Sequence, residues 1–299
     1  MGPRVEIKPE AIRLAAQEIL RRVGVPVFAV VKANAYGLGT IDAAGCVSDL
    51  VAGFCVFSLE EAAAVELWKL GKPILALGPP SKNATAADYR DARVRPAVSN
   101  VEQARALRDA RPLVCVDTGM RRFGCLPEQF GAVVEAAGAN EAYTHATQVE
   151  HALELEKLAA GRDLFLHAAG SSLLAEPRAH LNAIRPGLAL YRSAVRITAP
   201  IVELHEGPAP AGYTRFESPR HGIILAGYRH GLRPGPCLVN GRRQRVLEVG
   251  MQTSYVSLSP QDRVNDPVTL LGDSLLPDNL ATAWNCTPQE VLVSLLRKI

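Results

Sequence analysis

Several features that would take a chain out of the ordinary globular enzymes are missing here. The six cysteines (46, 55, 115, 125, 237 and 286) form no Cys-x-x-Cys pair and no Cys/His cluster at zinc spacing, which argues against a disulfide framework or a structural metal. Long apolar runs are absent. VPVFAVV at 25–31 is typical of the longest, far short of the roughly 20 residues a membrane span needs. The opening MGPRVEIKPE lacks the charged-then-apolar pattern of a signal peptide, so no membrane association and a cytoplasmic location are expected. An excess of one charge is missing too: 33 Lys+Arg stand against 30 Asp+Glu, net +3. With no long basic run, that balance disfavours a nucleic-acid partner. Lysine itself is scarce, contributing only seven of the 33 basic residues (8, 32, 69, 72, 82, 157 and 298), so each one can be read individually.

What is present is a chain of 299 residues, 48% hydrophobic, enough for one large domain and a small one, or for two ordinary domains. From about residue 9 to 191, short apolar runs alternate with stretches at helical spacing. Strands are expected at 26–31, 52–57, 73–77, 94–98, 113–117, 141–146, 164–168 and 184–190. Helices are expected between them, for example at 60–70, 100–110, 127–138 and 149–160. Eight strands alternating with helices point to an α/β fold, a (β/α)8 TIM-like barrel over 9–192, with an open doubly wound sheet as the fallback. After Tyr191 the texture becomes strand-like and rich in Pro and Gly, with runs at 194–203, 211–216, 222–228, 236–240, 244–249, 253–258 and 267–271. Asn240-Gly241 between two of these runs marks a type I′ hairpin turn. Residues 193–299 are therefore expected to form a small, mainly β domain, with residues 1–8 packing against it and PDNLATAW and PQEVLVSLLRK adding short helices.

In a barrel, chemistry gathers where the strands end. The first strand runs into Lys32, the fifth delivers Asp117 and then Arg122, the sixth His145, the seventh His167 with Gly170-Ser171-Ser172, and the eighth Arg185-Pro186-Gly187. A lysine closing a buried strand is costly unless neutral or paired, and a desolvated amine is a nucleophile for carbonyls. The plainer reading is a lysine that snorkels to the rim. Taken singly, His145 and His167 are half-buried core histidines, Ser171 a capping hydroxyl, Asp117 a turn former and Arg185 a brace. Taken together, one nucleophilic lysine, a turn after the seventh strand suited to phosphate and a planar arginine donor point to an aldehyde phosphate held through its carbonyl carbon.

VVKANAYGLG (30–39), VDTGMRRFG (116–124), HAAGSS (167–172) and RPGLALY (185–191), in this order, strongly resemble the alanine racemase family, pyridoxal phosphate enzymes of fold type III built from a (β/α)8 barrel and a C-terminal β domain. The resemblance covers most of the chain. It implies that Lys32 carries pyridoxal 5′-phosphate and acts as one of two catalytic bases. It makes Tyr36, Ser171 and the Gly187 backbone phosphate ligands, and packs His145 beside the cofactor ring. Arg185 becomes the donor to the pyridine nitrogen, and Arg122 a neighbour of the cofactor hydroxyl and the substrate carboxylate. AGYTRF (211–216) is similar to the segment bearing the second base, which makes Tyr213 that residue. GYRHG (227–231) and GMQT (250–253) resemble substrate-side motifs, placing Tyr228 and Met251 at the entrance. In the family the second base comes from another subunit, which implies a homodimer with shared active sites.

The sequence also departs from that pattern. Cys115 stands where many members have a lysine that becomes carbamylated, Gln252 and His230 replace aspartates, and the chain ends in LLRKI where members generally continue through a tyrosine-bearing segment. The resemblance thus implies an isomerase that racemises alanine. Serine or a basic amino acid stands as an alternative substrate, and a low-activity pyridoxal phosphate-binding homologue in cofactor handling or regulation as an alternative role.

Overall fold

A computed structural model describes residues 2–207 and 209–296; Lys298 and the end of LLRKI lie outside the described residues. Contacts divide the chain into two compact units, one of residues 12–35 and 39–190, the other of residues 1–11, 36–38 and 191–299. The chain begins with β1 (Arg4–Ile7), which belongs to the second unit.

The first unit is the α/β barrel. Its strands are β2 (Phe28–Val30), β3 (Gly53–Val56), β4 (Ile74–Ala76), β5 (Val94–Val98), β6 (Leu113–Cys115), β7 (Glu141–Tyr143) and β8 (Phe165–His167). Each is hydrogen-bonded in parallel to the next. They are short and apolar because a parallel strand covered on both faces by helices has no solvent side to decorate. The eighth strand, expected over 184–190, is reduced to two parallel bridges, His167↔Ala183 and Val27↔Ile184, which link β8 back to the region of β2. Pro186 has no N–H to continue a ladder, and 188–191 turns into a short helix instead. Several expected helices are also interrupted: 60–70 becomes Leu59–Ala63 and a 3₁₀ turn at Leu67–Leu70, with Glu66 between them in the left-handed region.

The second unit is antiparallel. It adds β9 (Val195–Glu206), β10 (Arg220–Ile224), β11 (Gly235–Val239), β12 (Arg242–Val249), β13 (Ser254–Ser257) and β14 (Pro267–Leu271). The order is β1-β9-β10-β13-β12-β11-β14, and a further β9–β14 pairing closes the sheet on itself. Over its first eight residues β9 alternates buried and half-buried positions, as a strand with one covered face should. Asn240 and Gly241 both take positive φ (49° and 76°) between β11 and β12, the geometry a type I′ turn requires. The strand expected at 211–216 is instead a tight turn closed by the single bridge Ala211↔Phe216. Gly212 and Arg215 bend it with positive φ, and an extended run admits neither. Helices Pro277–Trp284 and Pro288–Leu296 complete the unit.

Candidate active site

Lys32 follows β2 and opens a segment in which Ala33, Asn34, Ala35 and Tyr36 all adopt left-handed φ between 51° and 60°. A left-handed turn of L-residues costs about 1–2 kcal/mol per residue, so it persists only where its surroundings over-determine it. Here the Ala35 N–H donates to the Val31 carbonyl at 2.8 Å, and Gly39 N–H to the Asn34 carbonyl at 3.0 Å. The Asn34 side chain accepts from Thr40 N–H. Glu61 accepts the Ala33 N–H with one carboxylate oxygen and the Phe57 N–H with the other. The residue immediately after Lys32 is thus tied to the unit's own helix. Such a strained, well-anchored turn fixes where the lysine side chain departs.

That side chain lines a small pocket shared with Arg122, His145, Asp117, Cys115 and Tyr143. The Lys32 amine is pushed below its ordinary pKa, first by desolvation and then by the Arg122 charge, with Glu61 partly opposing. His145 is exposed at the pocket mouth, yet the protein mass around it partly desolvates the ring. Together with Arg185, Arg122 and Lys32, that lowers its pKa to about 4, so it is neutral at physiological pH. Asp117 accepts from Gly119 N–H at 2.8 Å and Arg121 N–H at 2.9 Å. It organises the turn that carries Arg122, the turn-former reading of this residue. Cys115 is buried and its thiol is pushed up by burial, so the position a carbamylated lysine would take is filled by a small neutral group.

Beneath the pocket lies a buried chain of charged and polar groups. Arg185, 4% exposed, donates from Nη1 to the His167 ring and to the His167 carbonyl at 2.8 Å, and from Nη2 to the carbonyls of Thr144 at 2.6 Å and Ala168 at 3.2 Å. Its guanidinium carbon sits 4.8 Å from the Tyr143 ring centroid. A guanidinium only donates, so His167 Nδ1 must be the acceptor. The proton is then on Nε2, which donates to Glu141 Oε1 at 2.9 Å. Glu141 in turn pairs with Arg95. Burial and Arg185, outweighing Glu141, hold His167 at about 4. Burial opposes ionisation of Glu141, yet the hydrogen bonds and charges of His167 and Arg95 outweigh it and set the carboxyl at about 2. The chain Arg95–Glu141–His167–Arg185 fixes both the tautomer of the histidine and the plane of the arginine. Sequence reading did not single out Glu141. The available signal was an acid opening an apolar strand, which is rarely left unpaired.

Ser171 lies in the same unit. Its Oγ accepts from Gly187 N–H and Ala189 N–H, both at 3.0 Å, which leaves the hydroxyl hydrogen to donate elsewhere. The remaining candidates belong to the second unit. Tyr36 packs against Tyr191 with ring centroids 5.3 Å apart. Tyr228 (53% exposed) and Met251 (60% exposed) are brought together because Tyr228 N–H donates to the Gly250 carbonyl at 2.9 Å and Arg229 N–H to the Met251 carbonyl at 3.0 Å. His230, in place of an aspartate, accepts the Gly227 N–H at 3.1 Å through Nδ1 and so closes its own turn. Gln252 is exposed. Tyr213, 94% exposed, stands at the tip of the 211–216 turn, whose backbone is bound by Glu248 of β12. Glu248 is a second residue the sequence reading passed over.

Comparison with known proteins gives a consistent picture. The family described as alanine racemase, N-terminal domain, matches residues 7–194. The biosynthetic alanine racemase of Escherichia coli O6:H1 (strain CFT073) is 30% identical over an alignment 329 positions long, gaps included, covering 91% of this chain and 90% of the relative. The alanine racemase of Shigella boydii serotype 18 is 29% identical with the same coverage. Among solved structures, the biosynthetic alanine racemase from Pseudomonas aeruginosa superposes with a TM-score of 0.89 at 27% identity, covering 98% of this chain and 97% of that one. The alanine racemase from Bartonella henselae with covalently bound pyridoxal phosphate has a TM-score of 0.87 over 99% of this chain and 97% of that one. At 20% identity, that last likeness bears on the fold alone. No helix among the described residues is long and apolar enough to cross a membrane.

Proposed function

Because the chain belongs to the alanine racemase family of pyridoxal phosphate-dependent isomerases, we propose that it interconverts the L and D forms of alanine, or of a similarly small amino acid, using Lys32 and Tyr213 as two acid/base groups. The donor set of the barrel unit suits the cofactor. A desolvated amine at Lys32 suits its aldehyde carbon. The guanidinium of Arg185, with both terminal nitrogens committed to His167 and backbone carbonyls, retains an Nε–H for a ring nitrogen. The Ser171 hydroxyl, already accepting the Gly187 and Ala189 N–H groups, has its proton free for a phosphate oxygen, so that the Gly187 backbone acts through it; Tyr36, from the second unit, is the further phosphate ligand the family pattern gives. His145, neutral at its depressed pKa, packs beside the ring without adding charge.

When bound, pyridoxal phosphate supplies the electron-withdrawing system that makes the substrate Cα–H acidic. The chain's own residues do the rest. Inversion needs a proton taken from one face of Cα and returned on the other, so acid/base groups must flank the reacting carbon. Lys32, its amine shifted toward the unprotonated form, serves one face. Tyr213, extended into solvent on its turn, serves the other as the contribution of a second copy of the chain, which makes the working form a homodimer. Arg122 in the Lys32 pocket holds the substrate carboxylate. Tyr228 and Met251, drawn together on the β unit, narrow the entrance and favour a small side chain. Arg185 keeps its proton even though burial lowers its pKa, so it would donate a hydrogen bond to the ring nitrogen without protonating it.

The observation that carries this reading is Lys32 on its strained, Glu61-tied turn, lining one pocket with Arg122 and His145. It is tested by incubating the holoenzyme in D₂O with each enantiomer of alanine, serine, lysine and arginine and following deuterium at Cα together with inversion. Incorporation with inversion, fastest for alanine, is expected. No incorporation from any of them would leave a cofactor binder, and preference for a basic amino acid would replace the substrate.

A further inference from the structure

Tyr213 contributes almost nothing to its own placement. With 94% of its surface in solvent, its direction is set by the backbone beneath it. That backbone is a six-residue turn in which Ala211 N–H donates to the Phe216 carbonyl at 2.9 Å. Its base is pinned by Phe216, which meets Tyr255 edge-on at 5.1 Å and His221 at 5.5 Å between ring centroids. Its tip is pinned by one side chain. Glu248 Oε1 accepts Tyr213 N–H at 2.9 Å, and Oε2 accepts Thr214 N–H at 2.7 Å and the Thr214 hydroxyl at 2.5 Å.

Two local features make this clamp. The register of β12 against β13 slips between Val246 and Glu248, a bulge of the kind that re-aims a side chain. Gly212, at φ +72°, lies so close to the carboxylate that a Cβ there would sit 2.6–2.8 Å from its atoms, so any larger residue would displace it. Glu248 is itself buried, and its carboxyl is held below the usual range, chiefly by the Thr214 hydroxyl and then by the two N–H groups. A carboxylate that accepts three N–H and O–H donors makes charge-assisted bonds stronger than neutral ones.

We propose that Glu248 is a positioning residue for the reaction: by binding the N–H groups of residues 213 and 214 it fixes the direction in which the Tyr213 phenol leaves the turn. This rests on the reading of Tyr213 as the second acid/base group. A misplacement of about 1 Å costs up to about 100-fold in rate. The loss should fall on the one face of Cα that Tyr213 serves.

The test compares the holoenzyme of the wild type, Glu248→Gln and Tyr213→Phe. Glu248→Gln keeps the shape but turns one acceptor into a donor facing an N–H. Deuterium wash-in at Cα is followed separately from L- and D-alanine at early times, and amide exchange of residues 211–216 is followed without cofactor. Expected is a 10- to 100-fold slowing for one enantiomer, the same one that Tyr213→Phe affects, with the other within about 2-fold. Faster amide exchange confined to the turn should accompany it. Equal slowing of both enantiomers, or of neither, in Glu248→Gln while Tyr213→Phe remains selective overturns the clamp alone. Absence of selectivity in Tyr213→Phe overturns the reading of Tyr213 and the clamp with it.

Discussion

In the barrel unit, the groups assigned to the cofactor are held from below by a chain of buried charges that runs through the strands themselves. In the β unit, the tyrosine assigned to the substrate stands in solvent on a turn that one carboxylate grips by its backbone. The first arrangement suits groups that hold a permanent resident and never need to move. The second suits a group offered outward, where packing against its own unit would spend the surface it must present. Both rely on carboxylates distant in sequence, Glu61 for the Lys32 turn and Glu248 for the Tyr213 turn. Only the barrel adds a buried relay behind them.

The largest expected effect separates the two halves by chemistry. Lys32→Ala should lower racemisation by about 10³-fold or more while leaving the β unit's amide exchange untouched; a loss under 10-fold would break the assignment. Next comes the relay. Glu141→Ala leaves His167 and the inner cations without their acid, and urea unfolding should show a loss of about 3 kcal/mol, whereas a loss below about 1 kcal/mol would mean that the relay is not what stiffens the barrel.

Acidification probes the same relay without mutation. His167 lies at about 4 and Glu141 at about 2, both below their ordinary values. Between about pH 6.5 and 4 the unfolded chain therefore binds more protons than the folded one, and stability rises with pH across that window. The urea midpoint should fall steadily as pH drops from 6.5 toward 4 and should fall less in His167→Asn; a flat profile would contradict the buried neutral histidine. The smallest effect is expected from Gly212→Ala. Its Cβ meets the Glu248 carboxylate at a strained φ, so about 1 kcal/mol of local destabilisation should appear as faster exchange in 211–216, with cofactor absorbance unchanged. Loss of the cofactor band would break the separation between the two regions.

The sequence disclosed more of the barrel than of its closure. Seven strands lie where apolar runs such as LVCVD and LFLHA demanded burial on both faces. The eighth shrank because Arg185-Pro186 cannot sustain a ladder. In the β unit, AGYTRF reads as a strand by its alternation, and only the positive φ at Gly212 and Arg215 reveals a turn. Lys32 was legible because a lysine ending a run of apolar residues is chemically conspicuous. Glu61, Glu141 and Glu248 were not. Each has at least one partner 26 or more residues away, and in one dimension each resembles an ordinary solvated acid.

Of the six lysines among the described residues, Lys32 alone lines the pocket of Arg122 and His145, which makes the central claim open to a direct chemical readout. Borohydride reduction of the holoenzyme followed by peptide mass mapping should find the phosphopyridoxyl adduct on the peptide containing Lys32 and on no other. An adduct on any other lysine, or none at all from a protein that retains its cofactor, would contradict the account.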